Sequence, residues 1–330
     1  MLKRFDLHNF FNKLFTLLGL IVVLCCFQAE AKPEEEDIED WETKSVVEKK
    51  SIEQNLIESD ILISNMFDNL AHGLDVFLAG KKRTDKVNKT RVVLENTTYS
   101  SEGGQRKNST NLDVNLRLPN LEDYWQLKFT SYDENEDKRE LQNRYLRKAP
   151  REKNYGASVG IFKKLGKVRT SFQPRIELKD PLKISHTLRF ESRAEFKKVE
   201  VNPKLELFAS PDKGTGVFTG LNFSTKLNKD FSLSMVNGVE YEDRQNKMST
   251  SDGFVLGQRI TDRSSMSYAI IFDCNNRETY HLENYSVSAG WSHALYKNVL
   301  HYQLVPHWDF VKARSFKGIV GIVFNVGLIF

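Results

Sequence analysis

The residues best equipped for chemistry are the histidines and their neighbours. Beyond His72 the chain carries His186, His281, His293, His301 and His307. Ser292 and His293 are adjacent, and serine with histidine is the pairing of a nucleophile and its base. On a strand, however, adjacent side chains point to opposite faces, so the two make a poor pair outside a turn. His301, His307 and Asp309 share a parity and would share one face of a strand. An imidazole held by a carboxylate can serve as a base with its orienter. The plainer use of the same residues is hydrogen bonding in a polar interior. No H-E-x-x-H, G-x-S-x-G or P-loop is present, and Lys213-Gly214-Thr215-Gly216 reads as a loop glycine pair and not a phosphate cradle. Beyond Cys25 and Cys26 the only cysteine is Cys274. A lone thiol can close no intrachain disulfide and no cysteine-based zinc site. The expectation is no cofactor, no metal and no catalytic residue, with a hydrolase built on His307 and Asp309 as the alternative.

Positioning falls to strands. From about Thr90 the hydrophobic period is two. Leu112, Val114, Leu116 and Leu118 alternate with Asp113, Asn115 and Arg117. Phe172, Ile176 and Leu178 alternate with Arg175 and Glu177, and Ile184, Leu188 and Phe190 alternate with Arg189 and Glu191. Phe231 to Tyr241 and Met266 to Phe272 repeat the pattern. The count is about fourteen strands, or twelve if one pair merges. Short connectors (119–122, 164–166, 227–230, 261–263) alternate with longer polar ones at 100–109, 133–154, 243–252 and 274–279. Outer-membrane barrels show this asymmetry of tight turns and longer outer loops.

Ahead of the strands the sequence reads differently. Lys3, Arg4 and Lys13 precede an apolar run from Leu14 to Phe27, and Ala29 and Ala31 form a small-residue cleavage signature. Residues 1–31 therefore read as a secretory signal peptide. Residues 32–58 form an acidic mobile leader. Ile61, Leu62, Met66, Leu70, Leu74, Phe77 and Leu78 recur at helical spacing, which predicts a short amphipathic helix capped by Ser59 or Asp60, within a periplasmic segment 59–89.

Composition narrows the classes. A mean hydropathy of −0.48 with 28% charged residues excludes a bundle of membrane-spanning helices, each of which needs about 20 consecutive apolar residues. A net charge of +4 argues against a dedicated nucleic-acid binder, which shows a strongly basic face. An alternating strand, one residue in and one out, reaches the same modest hydropathy while presenting an apolar face to lipid. The polar face would then line a lumen holding Arg117, Arg169, Arg175, Arg189, Arg193, Arg259, Glu177, Glu191, Glu195, Glu240 and Asp309. Guanidinium and carboxylate pair well in fork geometry. These charges can lace a closed, rigid barrel or line a narrow path for ions and solutes. Tyr124, Trp125, Tyr285, Trp291, Tyr296, Tyr302 and Trp308 lie near proposed strand ends, where interfacial girdles belong.

The chain ends on Gly318–Phe330, with Ile322, Phe324, Val326, Leu328 and Phe330 on one face. This resembles the C-terminal strand that the barrel assembly machinery reads in Gram-negative outer-membrane proteins. More widely, DVNLRLPNLE (113–122), YHLENYSVSAGWSHALYKN (280–298) and VPHWDF (305–310) resemble an uncharacterised family of proteobacterial outer-membrane β-barrel proteins. The resemblance implies architecture and location and carries no activity. The expectation is an all-β transmembrane antiparallel barrel over 90–330, preceded by the helix. Its partners would be outer-membrane lipid and, during biogenesis, periplasmic chaperones and the assembly machinery. It would be a narrow channel or a structural envelope component. The alternative binding reading takes 133–154 as a surface loop that engages a partner.

Overall fold

The computed structural model describes residues 52–79, 90–102, 105–117, 125–139, 153–295 and 299–330. The compact unit that holds the strands begins at Ile57. Of the unit before it only 52–56, the first residues of helix α1 (Ile52–Ala79), are described. The signal peptide with Ala29 and Ala31, most of the leader, Tyr124 and Tyr296 lie outside the described residues.

The strands follow the alternation. They are β1 (Arg91–Ser101), β2 (Gln105–Arg117), β3 (Trp125–Thr130), β4 (Gly156–Leu165), β5 (Val168–Glu177), β6 (Lys183–Ser192), β7 (Ala194–Phe196), β8 (Val199–Ser210), β9 (Gly214–Lys226), β10 (Phe231–Glu242), β11 (Lys247–Arg259), β12 (Ser264–Asn275), β13 (His281–Leu295), β14 (Leu300–Val311) and β15 (Gly318–Ile329). Every neighbour is antiparallel, and β1 pairs with β15, so the sheet closes on itself. β7 continues β6 past Arg193, and both pair with β8. The result is a closed barrel of fourteen staves. Closure matters because an open edge would leave a row of unpaired backbone groups. No described helix is long and apolar enough to cross a membrane.

Register sorts the two faces, because directly paired residues share a side. The outward set includes Phe172, Ile184, Leu205, Leu221, Leu233, Met235, Phe254, Val287, Ile322 and Phe324, all exposed. Two aromatic groups bracket it. Tyr285 stacks on Phe310 at 4.5 Å and lies 6.0 Å from Phe272 and Phe316. Tyr302 meets Trp291 edge-on at 5.4 Å and lies 5.5 Å from His293. Tyr285 and Trp291 sit on the same strand, about 20 Å apart along it. One sector departs from the exposed wall: Val92, Leu94, Leu112, Val114 and Leu116, outward on β1 and β2, are buried.

Three expectations need correction. Helix α1 spans Ile52–Ala79, not a run from Ser59. Glu53, Gln54 and Glu58 are good helix formers and nothing between 52 and 60 breaks a helix, so the last part of the expected leader is helical. Among its described side chains Phe67, Ala71 and Asp75 are buried, while Ile61, Leu62 and Met66 are exposed; Leu70, Leu74, Phe77 and Leu78 of the expected stripe lie outside the described side chains. Asp68 accepts the Thr90 N–H at 3.2 Å, tying the helix to the start of β1. The supposed long loops are also shorter. Pairing runs to Ser101 with Gln105, Glu242 with Lys247, and Asn275 with His281. Backbone pairing needs no apolar side chain, so strands polar on both faces extend past the apolar belt. The third correction concerns the connector 131–155.

Candidate functional site

Connector 131–155 joins β3 to β4, and its described part folds inward. Ser131 donates its N–H to the Leu112 carbonyl at 3.0 Å, and its Oγ accepts the Leu112 N–H at 2.9 Å. The Asn154 N–H reaches the Ser131 carbonyl at 2.8 Å, so the two ends of the connector meet. Arg175, on β5 and only 2% exposed, pins that junction. Its Nη1 donates to Thr130 Oγ1 at 2.6 Å and its Nη2 to the Asn154 carbonyl at 2.5 Å. The guanidinium lies over Gly156, where a Cβ would stand 2.6 Å from Arg175 Cζ. A side chain at 156 would displace it.

From this junction the chain turns into a short helix, α2 (Glu134–Arg139). Asp133 Oδ1 accepts the Asn135 N–H at 2.9 Å, a cap of the kind that starts helices. Lys128 from β3 grips Glu134 at 2.7 and 3.0 Å. Arg139, at the other end, reaches the wall of β8 and β10. Its Nη1 donates to Glu206, and its Nε lies 3.1 Å from Glu240 Oε2. Glu206 also accepts from Arg189 Nε at 2.6 Å, and Arg189 Nη2 donates to Asn135 Oδ1 at 3.2 Å. Lys213 Nζ spans Glu240 and Glu242 at 3.1 Å each. Arg139 further sits 4.2 Å over the ring of Phe208. That ring lies flat on Gly216, where a Cβ would come within 2.2 Å of it.

The electrostatics close locally. Three carboxylates face two guanidinium groups and one ammonium, so the cluster is neutral although Arg139, Glu206 and Arg189 are buried. Burial by itself disfavours the charge on Arg139. Glu206 and Glu240, with Asp133 farther off, outweigh that and hold its pKa above the ordinary arginine value. Helix α2 is thus clamped inside the barrel by charges that neither it nor the wall could bury alone.

Space remains beside the clamp. A cavity of about 370 Å³ is lined by Glu95, Asn111, Asp113, Lys128, Tyr132 and Glu134, among others. A second, of about 500 Å³, opens toward the end of the barrel that holds Arg91 and Phe330, past Arg259, Asp262, Arg263 and Gln303. Glu95 and His301 line both.

The expected charges fall as follows. By register Arg117, Arg169, Arg175, Arg189, Glu177, Glu191, Glu195, Glu240, Arg259 and Asp309 are on the inner face, and Arg193 stands between β6 and β7. They do not form one site. Arg189 and Glu240 join the clamp and Arg175 holds the junction. Glu191 lies 3.8 Å from both Arg189 and Lys204. Arg193 pairs with Glu200, Glu177 with Lys179 at 3.1 Å, and Arg259 with Asp230 at 3.6 Å. Arg169 sits 4.9 Å over Phe162. Arg139, Lys213, Glu242 and Lys128 escaped the sequence reading. Arg139 lies in a mixed-charge connector with no period, and Lys213 in a turn.

The histidine set lies on another wall. His307 is fully buried, with Nε2 3.4 Å from Asp309 Oδ2 and its ring 5.8 Å from that of Tyr99. Ser288 pairs in register with His307, and Ser286 with Asp309. No serine–histidine hydrogen bond is seen among the described residues, and the burial of His307 leaves no approach for a substrate. Ser292 faces inward and His293 outward, on opposite sides of β13. In β15, Ile322 and Phe324 are exposed on the outer wall, with Val326, Leu328 and Phe330 half-buried beside them.

No protein-family model matches the chain, and no curated protein does, so the family resemblance rests on the quoted stretches alone. Solved structures do resemble it. A loop L8 deletion mutant of OmpT, an outer membrane protein of Vibrio cholerae, has a TM-score of 0.49 at 7% identity, covering 74% of this chain and 99% of that one. Pseudomonas aeruginosa OccK11 (OpdR) has a TM-score of 0.41 at 8% identity, over 73% and 95% of the two chains. A KdgM porin has a TM-score of 0.35 at 7% identity, over 72% and 98%. All three are outer-membrane β-barrel proteins.

Proposed function

We propose that this chain is an outer-membrane barrel whose lumen is a narrow passage for ions and small polar solutes, restricted by α2. The observation that carries the reading is the clamp of Arg139 on Glu206 and Glu240, which holds α2 inside the barrel beside solvent-sized cavities. A barrel meant only to be rigid could close its lumen with direct wall-to-wall pairs. Here the charged walls hold a separate segment, whose release would widen the path. In this reading the exposed apolar wall faces lipid, and the end holding Arg91 and Phe330 faces the periplasm. The signal peptide ending at Ala31 directs export, and Ile322, Phe324, Val326, Leu328 and Phe330 are read by the assembly machinery. Protein reconstituted in planar bilayers should show small, discrete conductance steps, and Arg139→Ala should enlarge them. Folded, heat-modifiable protein that stays electrically silent in both forms would overturn the channel.

A further inference from the structure

The cavity that opens toward the Arg91 and Phe330 end carries an uncharged lining. Ser265 on β12 pairs in register with Ser292 on β13, Ser292 with Gln303 on β14, and Gln303 with Asn325 on β15. Directly paired residues share a side, so the four form one inward row across adjacent strands. All four line the cavity of about 500 Å³. The row is open at one end and anchored at the other. Ser265 is exposed, Ser292 and Gln303 are half-buried, and Asn325 is buried. Thr97 Oγ1 donates to Asn325 Oδ1 at 3.1 Å, and Asn325 Nδ2 donates to Glu95 Oε1 at 2.5 Å, which fixes the amide. The side chains of Ser265, Ser292 and Gln303 make no hydrogen bond to any described residue.

We infer, on the reading of the lumen as open to small solutes, that this row is a binding site for an uncharged, hydroxyl-rich solute the size of a simple sugar. Each serine hydroxyl donates one hydrogen and accepts at two lone pairs, and the Gln303 amide brings two donors and a carbonyl. A sugar hydroxyl also donates and accepts, so it can satisfy both halves of each group. A carboxylate only accepts and an ammonium only donates. The charges around the row favour a neutral occupant as well. Arg259 and Arg263 stand with Glu95 and Asp262 along the cavity, two of each sign. Arg259 is further held by Asp230 at 3.6 Å and by the Lys229 carbonyl at 3.0 Å. With strands about 4.8 Å apart, Ser265 to Gln303 covers about 10 Å of wall, the reach of a simple sugar. The cavity also falls within the range of about 300–1,000 Å³ in which small-molecule sites are found.

The test uses the full chain in detergent micelles, its folding verified by heat-modifiable gel migration. Saturation-transfer NMR is recorded with glucose, with gluconate and with protonated glucosamine, three solutes alike in size and different in charge. Glucose should receive saturation, and the two ions should receive much less. Ser292→Ala with Gln303→Leu should cut the glucose signal about tenfold while the heat shift persists. Thr219→Ala, on the outer face of β9, should leave it unchanged. Folded protein that transfers saturation to none of the three, to all three alike, or to glucose just as strongly after both substitutions would overturn the site. Conductance judges the passage separately. A barrel that conducts without binding glucose would remove the site and leave the passage standing. One that binds glucose and stays electrically silent would keep the site and remove the passage.

Discussion

Two inner walls of one barrel solve the same problem differently. The wall of β5, β6, β8 and β10 is charged, and it buries its charges by borrowing Arg139 and Asn135 from connector 131–155. The wall of β14, β15 and β1 carries fewer charges, among them Glu95 and Asp309, and packs rings against backbone. His307 lies over Gly321 and His301 over Gly327, where a Cβ would come within 2.4 and 2.2 Å of the ring atoms. Val305, Val323 and Tyr99 fill in beside them. The first wall needs a third party and is therefore where a passage can be adjusted. The second packs largely by contact of rings and backbone and serves as fixed scaffold.

The strongest way to break this contrast is to remove one carboxylate from the charged wall. Glu206→Gln would leave Arg139 and Arg189 buried with half their compensation. Breaking a buried pair in this way costs about 3–5 kcal/mol. The barrel's own ladder is untouched, so the loss should fall on the docking of α2. Conductance should rise and the connector should become sensitive to trypsin, while heat-modifiable migration stays normal. A variant with unchanged conductance and an intact connector would mean that the charged wall needs no third party.

The second wall should respond in the opposite way. Gly321→Ala sets a Cβ against His307, whose ring has nowhere to go because it is fully buried between Tyr99 and the sheet. Overpacking of this sort costs about 1–3 kcal/mol. Thermal unfolding should move to lower temperature with conductance unaltered. A conductance change without a stability change would reverse the roles assigned to the two walls.

How far the sequence foresaw this follows from what alternation encodes. The period of two put Arg189 and Glu240 on the inward face, though it left out Lys128 and Glu242 on β3 and β10. It could not say that Arg189 stands opposite Glu206. That pairing depends on how β6 and β7 together meet β8 around Arg193, and register is not written in a face pattern. Arg139 was invisible for another reason. Connector 133–154 reads as a solvated loop by composition. Only the acidic wall that meets it, far away in sequence, makes its inward fold favourable. Of the polar outward residues of β1 and β2, Ser100, Arg106 and Asn108 lie in the stretch 100–109, which reads as a loop because it carries no hydrophobic alternation. In the same way Ile61, Leu62 and Met66 belong to a hydrophobic stripe, yet among the described side chains the buried ones are Phe67, Ala71 and Asp75.

The smallest effect lies at the rim of the charged wall, where the same chemistry occurs without burial. Lys183 Nζ donates to Asp212 Oδ1 at 2.5 Å, in the turn between β8 and β9. That hydrogen bond holds the Asp212 carboxyl below the ordinary aspartate value of 3.8, against a minor opposing push from burial. A carboxyl whose folded pKa is depressed stabilises the fold fully above its unfolded value and loses that contribution as pH falls through the folded one. The pair's contribution should therefore be constant at neutral pH and fade only below 3.8. Both groups are solvated, so the difference in thermal midpoint between wild type and Asp212→Asn should be slight at neutral pH, weaken with added salt and vanish in acid. Comparing that salt response with Glu206→Gln separates burial from charge: the rim pair should be screened and the clamp should not. Equal salt sensitivity at both positions would mean that water reaches Glu206 as freely as Asp212, and that the clamp is not sealed inside the barrel.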